Sequence, residues 1–266
     1  MYDRIIVPID GAERALTPLP FAASLATAWG CPLEPLHVAP SPPPTLENEP
    51  AQPPVRHVEG EDPAAALIAE TRATDPPALL CMATRSRTAA GELVFGSVTA
   101  RIVRNLHAPL AITGPAFRTN AGAAPLSRLM VCLDGSTTSA AIVPTARRWA
   151  QQLDLEVVLL HVAYPVGDPV TRQVTLPEET EEIAAELKRI ADGCTDAGTA
   201  ARWDIVEHTI PAQAIVEQAA YRGSQLIAMA THGRTGLERI LAGSVTTEVL
   251  RRAPVPVLTL RPESLR

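Results

Sequence analysis

The residues best suited to chemistry in this sequence are those that could hold an anion. An aspartate closes the first apolar run of each half, Asp10 before Gly11 and Asp134 before Gly135. A later segment, Ala230-Thr231-His232-Gly233-Arg234, runs on to Gly243-Ser244-Val245-Thr246, where a helical pattern begins. Glycine lets backbone approach a ligand closely, a serine near a helix start offers a hydroxyl, and the N–H groups of a first helical turn carry partial positive charge. That set suits phosphate, and Arg234 adds a cation. Each hydrogen bond to a charged phosphate is worth roughly 1.5–3 kcal/mol, so four or five of them suffice for micromolar binding. The competing reading is plainer: the glycines only cap and start helices, Ser244 is an N-cap, and Asp-Gly is a common turn opener.

Catalytic and metal chemistry find less support. His232 is the one residue that suggests acid–base work, but no carboxylate or nucleophile can be placed beside it by spacing, so no catalytic residue is assigned. The four cysteines, Cys31, Cys81, Cys132 and Cys194, show no C-x-x-C and no histidine at ligand spacing. They read as buried small hydrophobes in a reducing cytosol, neither disulfides nor metal ligands.

The elements that must position these residues come from a repeat. Arg4 to Gly11 aligns with Arg128 to Gly135, and Leu36-His37-Val38-Ala39 with Leu160-His161-Val162-Ala163, both 124 residues apart. Met82-Ala83-Thr84 aligns with Met229-Ala230-Thr231, and Phe95 to Thr99 with Ala242 to Thr246, now 147 apart. The second half therefore carries 147 − 124 = 23 additional residues. Glu178 to Ala191, with Ile183, Leu187 and Ile190 at helical spacing, supplies a helix there; the first half has the proline-rich stretch Pro40 to Pro54 instead. Short apolar runs alternate with helical patterns, in the second half at Leu129–Leu133, Val157–Val162, Trp203–Glu207, Leu226–Ala230 and Val255–Leu260. This alternation predicts an α/β fold of two tandem doubly wound domains, each a mostly parallel five-stranded sheet flanked by helices. Their expected bounds are 1–117 and 126–262, joined by a linker within Gly114 to Ser127.

With 23 basic against 29 acidic residues and no basic stripe, nucleic acid is not an expected partner. No apolar stretch approaches the ~18 residues of a membrane span, and the chain enters a strand-like run at Tyr2 with no signal-like segment, so a soluble, cytoplasmic protein is expected.

The segment from Ala230 to Ser244 resembles the phosphate loop of the universal stress protein family, written G-x2-G-x9-G-[ST]. The second half matches as Ala230-x2-Gly233-x9-Gly243-Ser244, departing at the first glycine. The first half matches as Ala83-x2-Ser86-x9-Gly96-Ser97, departing at two. Similarity extends to Asp134-Gly135-Ser136, to His161-Val162 and to Ala253-Pro254-Val255-Pro256-Val257, nearly the whole of both halves. The resemblance implies an adenine-nucleotide site with ATP, alone or with Mg2+, as cofactor. It implies that Asp134 meets the ribose, Val162 and Met229 flank the adenine, and Gly233, Gly243 and Ser244 meet the phosphates; Arg234, Val245 and Thr246 belong to the same loop. Asp10, Val38, Met82, Ser86, Gly96 and Ser97 form a weaker second set. Ala230 costs on the order of 1 kcal/mol if its position needs positive φ.

Three functions stay open at this level: an ATP-binding stress-response regulator, a nucleotide-free interaction module, and a slow ATP hydrolase. No Walker lysine loop favours the last. The closing strands, Pro109–Thr113 and Pro254–Leu260, resemble the family's dimerisation strand, which predicts an intrachain pseudo-dimer and leaves a homodimer of whole chains open.

Overall fold

Residues 2–41, 54–84, 96–118, 126–167, 174–175, 179–231 and 243–262 are described by the computed structural model of the 266-residue chain. The first half runs β1 (Ile5–Pro8), a 3-10 turn (Glu13–Leu16), α1 (Leu19–Trp29), β2 (Leu33–Ala39), β3 (Arg56–Glu59), α2 (Pro63–Arg72), β4 (Leu79–Ala83), α3 (Ser97–Asn105) and β5 (Leu110–Thr113). The second runs β6 (Arg128–Cys132), α4 (Thr137–Ala140), α5 (Val143–Leu153), β7 (Glu156–Ala163), a small hairpin of β8 (Val166–Gly167) and β9 (Val174–Thr175), then α6 (Glu179–Asp196). It closes with β10 (Ala201–Glu207), α7 (Pro211–Tyr221), β11 (Leu226–Ala230), α8 (Ser244–Arg252) and β12 (Val257–Leu260).

Ten strands form one sheet in the order β10-β7-β6-β11-β12-β5-β4-β1-β2-β3. Within each half the neighbours are parallel, as the βαβ alternation requires. The halves meet where β12 pairs antiparallel with β5, Leu258 opposite Ala111. That is the contact expected of the closing strands. β12 starts at Val257, two residues later than the apolar run, because Pro254 and Pro256 have no N–H to give a ladder.

The sheet separates two cores. On one face α1, α5 and α6 pack over Leu129, Val131, Val157 and Leu159; on the other α2, α3, α7 and α8 cover Ile6, Leu80, Met130 and Ile227. The stripe at Ile183, Leu187 and Ile190 does place α6 on the first face. The proline-rich alternative of the first half lies largely outside the described residues. Two helices end at a left-handed residue: Gly30 ends α1 at φ 63, and Asp154, the one described non-glycine residue with positive φ, ends α5 at the aligned position.

Two contacts lock the halves beyond the strand pairing. Trp149 of α5 is fully buried and donates its indole N–H to the Tyr2 hydroxyl at 3.0 Å, while Trp29 of α1 lies edge-on to Trp149 at 4.9 Å. Burial raises the Tyr2 phenol far above its ordinary range, so it stays a neutral partner for the indole. Gly114, just past β5, lies so close to α8 that a Cβ there would stand 1.7 Å from the Leu250 carbonyl oxygen.

Gly114→Ala is therefore expected to lower unfolding stability by about 1–3 kcal/mol or more through forced separation of β5 from α8. Gly193→Ala, inside α6 with nothing within 4 Å of the added methyl, is expected to raise it by roughly 0.5–1 kcal/mol. Denaturant melts of the two variants beside the parent check both signs.

Candidate functional site

Both halves share the strand order 3-2-1-4-5 when numbered from their own first strand. In such a sheet the connections after the first and fourth strands leave on opposite faces, opening a crevice at the strand C-termini. In the second half that crevice lies between β6 and β11. A cavity of about 230 Å³ occupies it, lined by Asp134 after β6, Val162 of β7, Met229 and Ala230 of β11, and Gly243 to Thr246 at the start of α8. Eight of the ten residues proposed from sequence for this half thus surround one space. The other two, Gly233 and Arg234, lie outside the described residues, as does His232.

One end of the cavity is built by α8. Gly243 is the N-cap residue, and its N–H donates to the Thr231 carbonyl at 2.6 Å. Thr247 N–H is the first to find an acceptor within the helix, at Gly243. The amides of Ser244, Val245 and Thr246 therefore have no acceptor within α8, as at any helix start, and all three residues line the cavity. Ser244 is the first helical residue, one past the N-cap Gly243, so the plain N-cap reading does not hold for it. The Thr246 hydroxyl donates to the Ala230 carbonyl at 3.1 Å, tying the helix to the end of β11.

One expectation about a glycine position needs correction. Ala230 ends β11 in extended backbone and is not among the positive-φ residues, so the strain assigned to alanine there does not arise. Gly243, read from sequence as a point of close backbone approach, has φ −52, which any residue adopts. Positive φ is needed one strand away: Gly135 and its counterpart Gly11 both sit at φ 82, turning the chain directly after Asp134 and Asp10.

The opposite end is apolar. Val162 and Met229 face the cavity with Leu160, Pro211 and Ile215, the last two from α7. The Cys132 thiol, also on the wall, is pushed up to about 12 by burial and stays protonated at neutral pH. His161 is tied inward: its Nδ1–H donates to the Leu133 carbonyl at 2.9 Å, with a twin in His37 to Ile9 at 2.8 Å. Both bonds lock the second strand of each half to the turn that carries the aspartate.

Sequence reasoning did not assign a structural role to Ser136 and Ser139. Asp134 Oδ1 accepts from the Ser136 amide at 3.0 Å and from its hydroxyl at 2.6 Å. Buried Ser139 accepts from the Asp134 N–H at 3.2 Å and lines the cavity. The sequence reading reached Asp134-Gly135-Ser136, as part of a family pattern, and stopped short of Ser139.

The first half places Asp10, Val38, Met82 and Gly96 around a cavity of about 790 Å³ with Ala83 and Thr99. Ser97, the first residue of α3, is not among its lining residues. Ser86 lies outside the described residues. Among those residues no group of three or more His, Cys, Asp or Glu could hold a metal ion, and no helix is long and apolar enough to cross a membrane.

Three stretches, residues 1–54, 44–114 and 125–261, match the universal stress protein family. The chain belongs to that family. A universal stress protein of Methanocaldococcus jannaschii is 33% identical over 147 residues, covering 50% of this chain and 81% of that relative. One of Mycolicibacterium smegmatis is 30% identical over 190 residues, covering 69% of this chain and 62% of that relative. A universal stress protein structure from Archaeoglobus fulgidus superposes with a TM-score of 0.66 at 17% identity, over 97% of this chain and 96% of that one, which establishes the shared tandem fold.

On α8 of this universal stress protein, hydrogen bonds from Arg251, and after them Arg252, hold the Glu248 carboxyl down to about 2 from its usual 4.5. A depressed acid stabilises the folded state above its unfolded pKa and loses that contribution as pH falls towards its folded one. Acid titration of stability is expected to steepen between pH 4.5 and about 2, and Glu248→Gln to flatten that segment.

Proposed function

We propose that this protein is a nucleotide-binding regulator that holds ATP in its C-terminal unit, residues 126–262, with residues 1–117 as a weaker second unit. One observation carries the reading. A carboxylate, an apolar slot and a helix N-terminus converge on a single cavity at the sheet's switch point, the three kinds of group that ribose, base and phosphate each call for. Val162 and Met229 flank the adenine, Asp134 accepts from the ribose hydroxyls, and the amides of Ser244 to Thr246 with the Ser244 hydroxyl meet the phosphates. At about 230 Å³ the cavity is below the ~300–1,000 Å³ of sites that enclose a whole drug-sized ligand, so base and ribose fill it while the phosphates lie along the start of α8. Gly233 and Arg234 extend the same phosphate contact by their place in the motif, and Mg2+ would accompany the phosphates as their counter-ion.

The larger cavity belongs to the first half, and volume alone would favour it. Affinity for a triphosphate instead follows the charge-assisted bonds available, each worth roughly 1.5–3 kcal/mol, and the first half has lost two of three loop glycines.

Calorimetric titration of ATP into the parent protein and into Gly243→Val and Gly96→Val tests the assignment. Gly243→Val should weaken binding by at least about fivefold, since a side chain at the close approach removes one phosphate bond. Gly96→Val should leave the stronger site intact. The reverse pattern refutes the C-terminal assignment, and an absence of binding to the parent refutes the nucleotide reading itself.

A further inference from the structure

The ten-stranded sheet has two ends, and they differ. At one, β3 is four residues long; at the other, β10 runs for seven, and every residue of it is half-buried or exposed. The backbone of β10 divides by parity. The Val157 amide donates to the Ala200 carbonyl at 2.8 Å and the His208 amide to the Ala163 carbonyl at 3.1 Å, so even-numbered residues turn their N–H and C=O groups towards β7. The groups of Ala201, Trp203, Ile205 and Glu207 therefore point out of the sheet, where no strand pairs with them among the described residues. One of these groups is held locally: the Ile205 amide donates to Asp204 Oδ1 at 2.9 Å.

The side chains along this edge fall into two sets. Trp203 shares a face with Ala201 and Ile205, which pack into the core beneath α6, yet it remains 39% exposed. Arg202 and Asp204 lie on the other face. Arg202 reaches Glu156 at 3.1 Å and Asp204 pairs with Arg222, but both side chains stay well exposed.

A long unpaired edge is a template for one more strand, and the charges on β10 say which strand fits. Consider a second copy of β10 laid antiparallel about a two-fold axis, with outward residues meeting outward residues. An axis at residue 202 sets Arg202 against Arg202, and one at residue 204 sets Asp204 against Asp204. An axis at Trp203 instead places Arg202 of each copy opposite Asp204 of the other, and brings the two exposed indoles together. Opposite charges directly across a strand pair stabilise it and like charges destabilise it, so the sequence selects the third register.

We infer that β10 is a self-association surface on which a second copy of this chain adds its own β10, antiparallel about an axis at Trp203. On pairing, the Ile205 amide passes from Asp204 to the Ala201 carbonyl of the second copy, and the carboxylate it leaves meets Arg202 of that copy. Burial of the two Trp203 rings supplies the apolar contact. Because both copies use the same edge, the assembly closes as a dimer instead of growing into a fibre.

Sedimentation of the full chain across micromolar concentrations tests this with the parent, Arg202→Asp, Asp204→Arg and an equimolar mixture of the two variants. Each variant replaces two attractive pairs by two repulsive ones and is expected to weaken association by at least about tenfold. The mixture is expected to recover the dimer, since one variant then presents only acids and the other only arginines at the facing positions. Trp203→Glu, at an exposed site, sets two like charges at the axis and is expected to give a single-chain mass. Thermal melts establish that all three variants fold. A parent of single-chain mass throughout the range overturns the inference, and so does a parent dimer that persists in all three variants. Folded charge variants whose mixture stays at single-chain mass overturn it as well.

Discussion

The pairing of β5 with β12 is the constraint on which the rest of the architecture depends. Each half alone is a five-stranded sheet with an open edge at its last strand, and an open apolar edge cannot be left to water without inviting other chains. Setting Leu110, Ala111 and Ile112 against Thr259, Leu258 and Val257 closes both edges at once and makes one sheet of ten strands. The helices α1 and α5 then share a single apolar layer, in which Trp149 of one half finds its hydrogen-bond partner in Tyr2 of the other. A buried indole N–H without a partner would cost about 1–3 kcal/mol, so this contact is part of the join and not an ornament to it.

Much of this was legible in the sequence because it obeys a period. The repeat offset of 124 residues located both aspartates, and the alternation of short apolar runs with helical stripes gave the parallel order. The helix α6 was visible in Ile183, Leu187 and Ile190, since an 18-residue element repeats its signal over several turns. The expected βαβ order put Asp134, Val162 and the loop after Met229 along one sheet edge, and the family pattern added Gly243 to them. Nothing local brings residues 134 and 243 together; strand order does that.

What stayed hidden depended on backbone angles and on single hydrogen bonds. Ala230 looked strained as a replacement for glycine, but the position belongs to the end of a strand, where alanine is at ease. Ser244 looked like an N-cap because serine commonly is one; Gly243 takes that place, and Ser244 enters the first turn. Ser139 was invisible because its role is defined by a neighbour five residues back rather than by any motif of its own. Tyr2 at the start of the chain gave no hint that its hydroxyl ends beneath a tryptophan 147 residues away.

Joining the two units in one polypeptide also fixes their ratio. Two separate chains that met through the same strands would be identical, would fall apart on dilution, and could not confine a change to one member of the pair. Here the partner of β12 is always β5 of the same molecule, at a local concentration set by the linker and independent of how much protein a cell makes. One unit can then keep Ser136 and Ser139 while the other carries Ala12 and Ala15, and every molecule holds one of each. The result is a pair with two different pockets in a fixed one-to-one proportion, which no assembly of a single repeated domain could maintain.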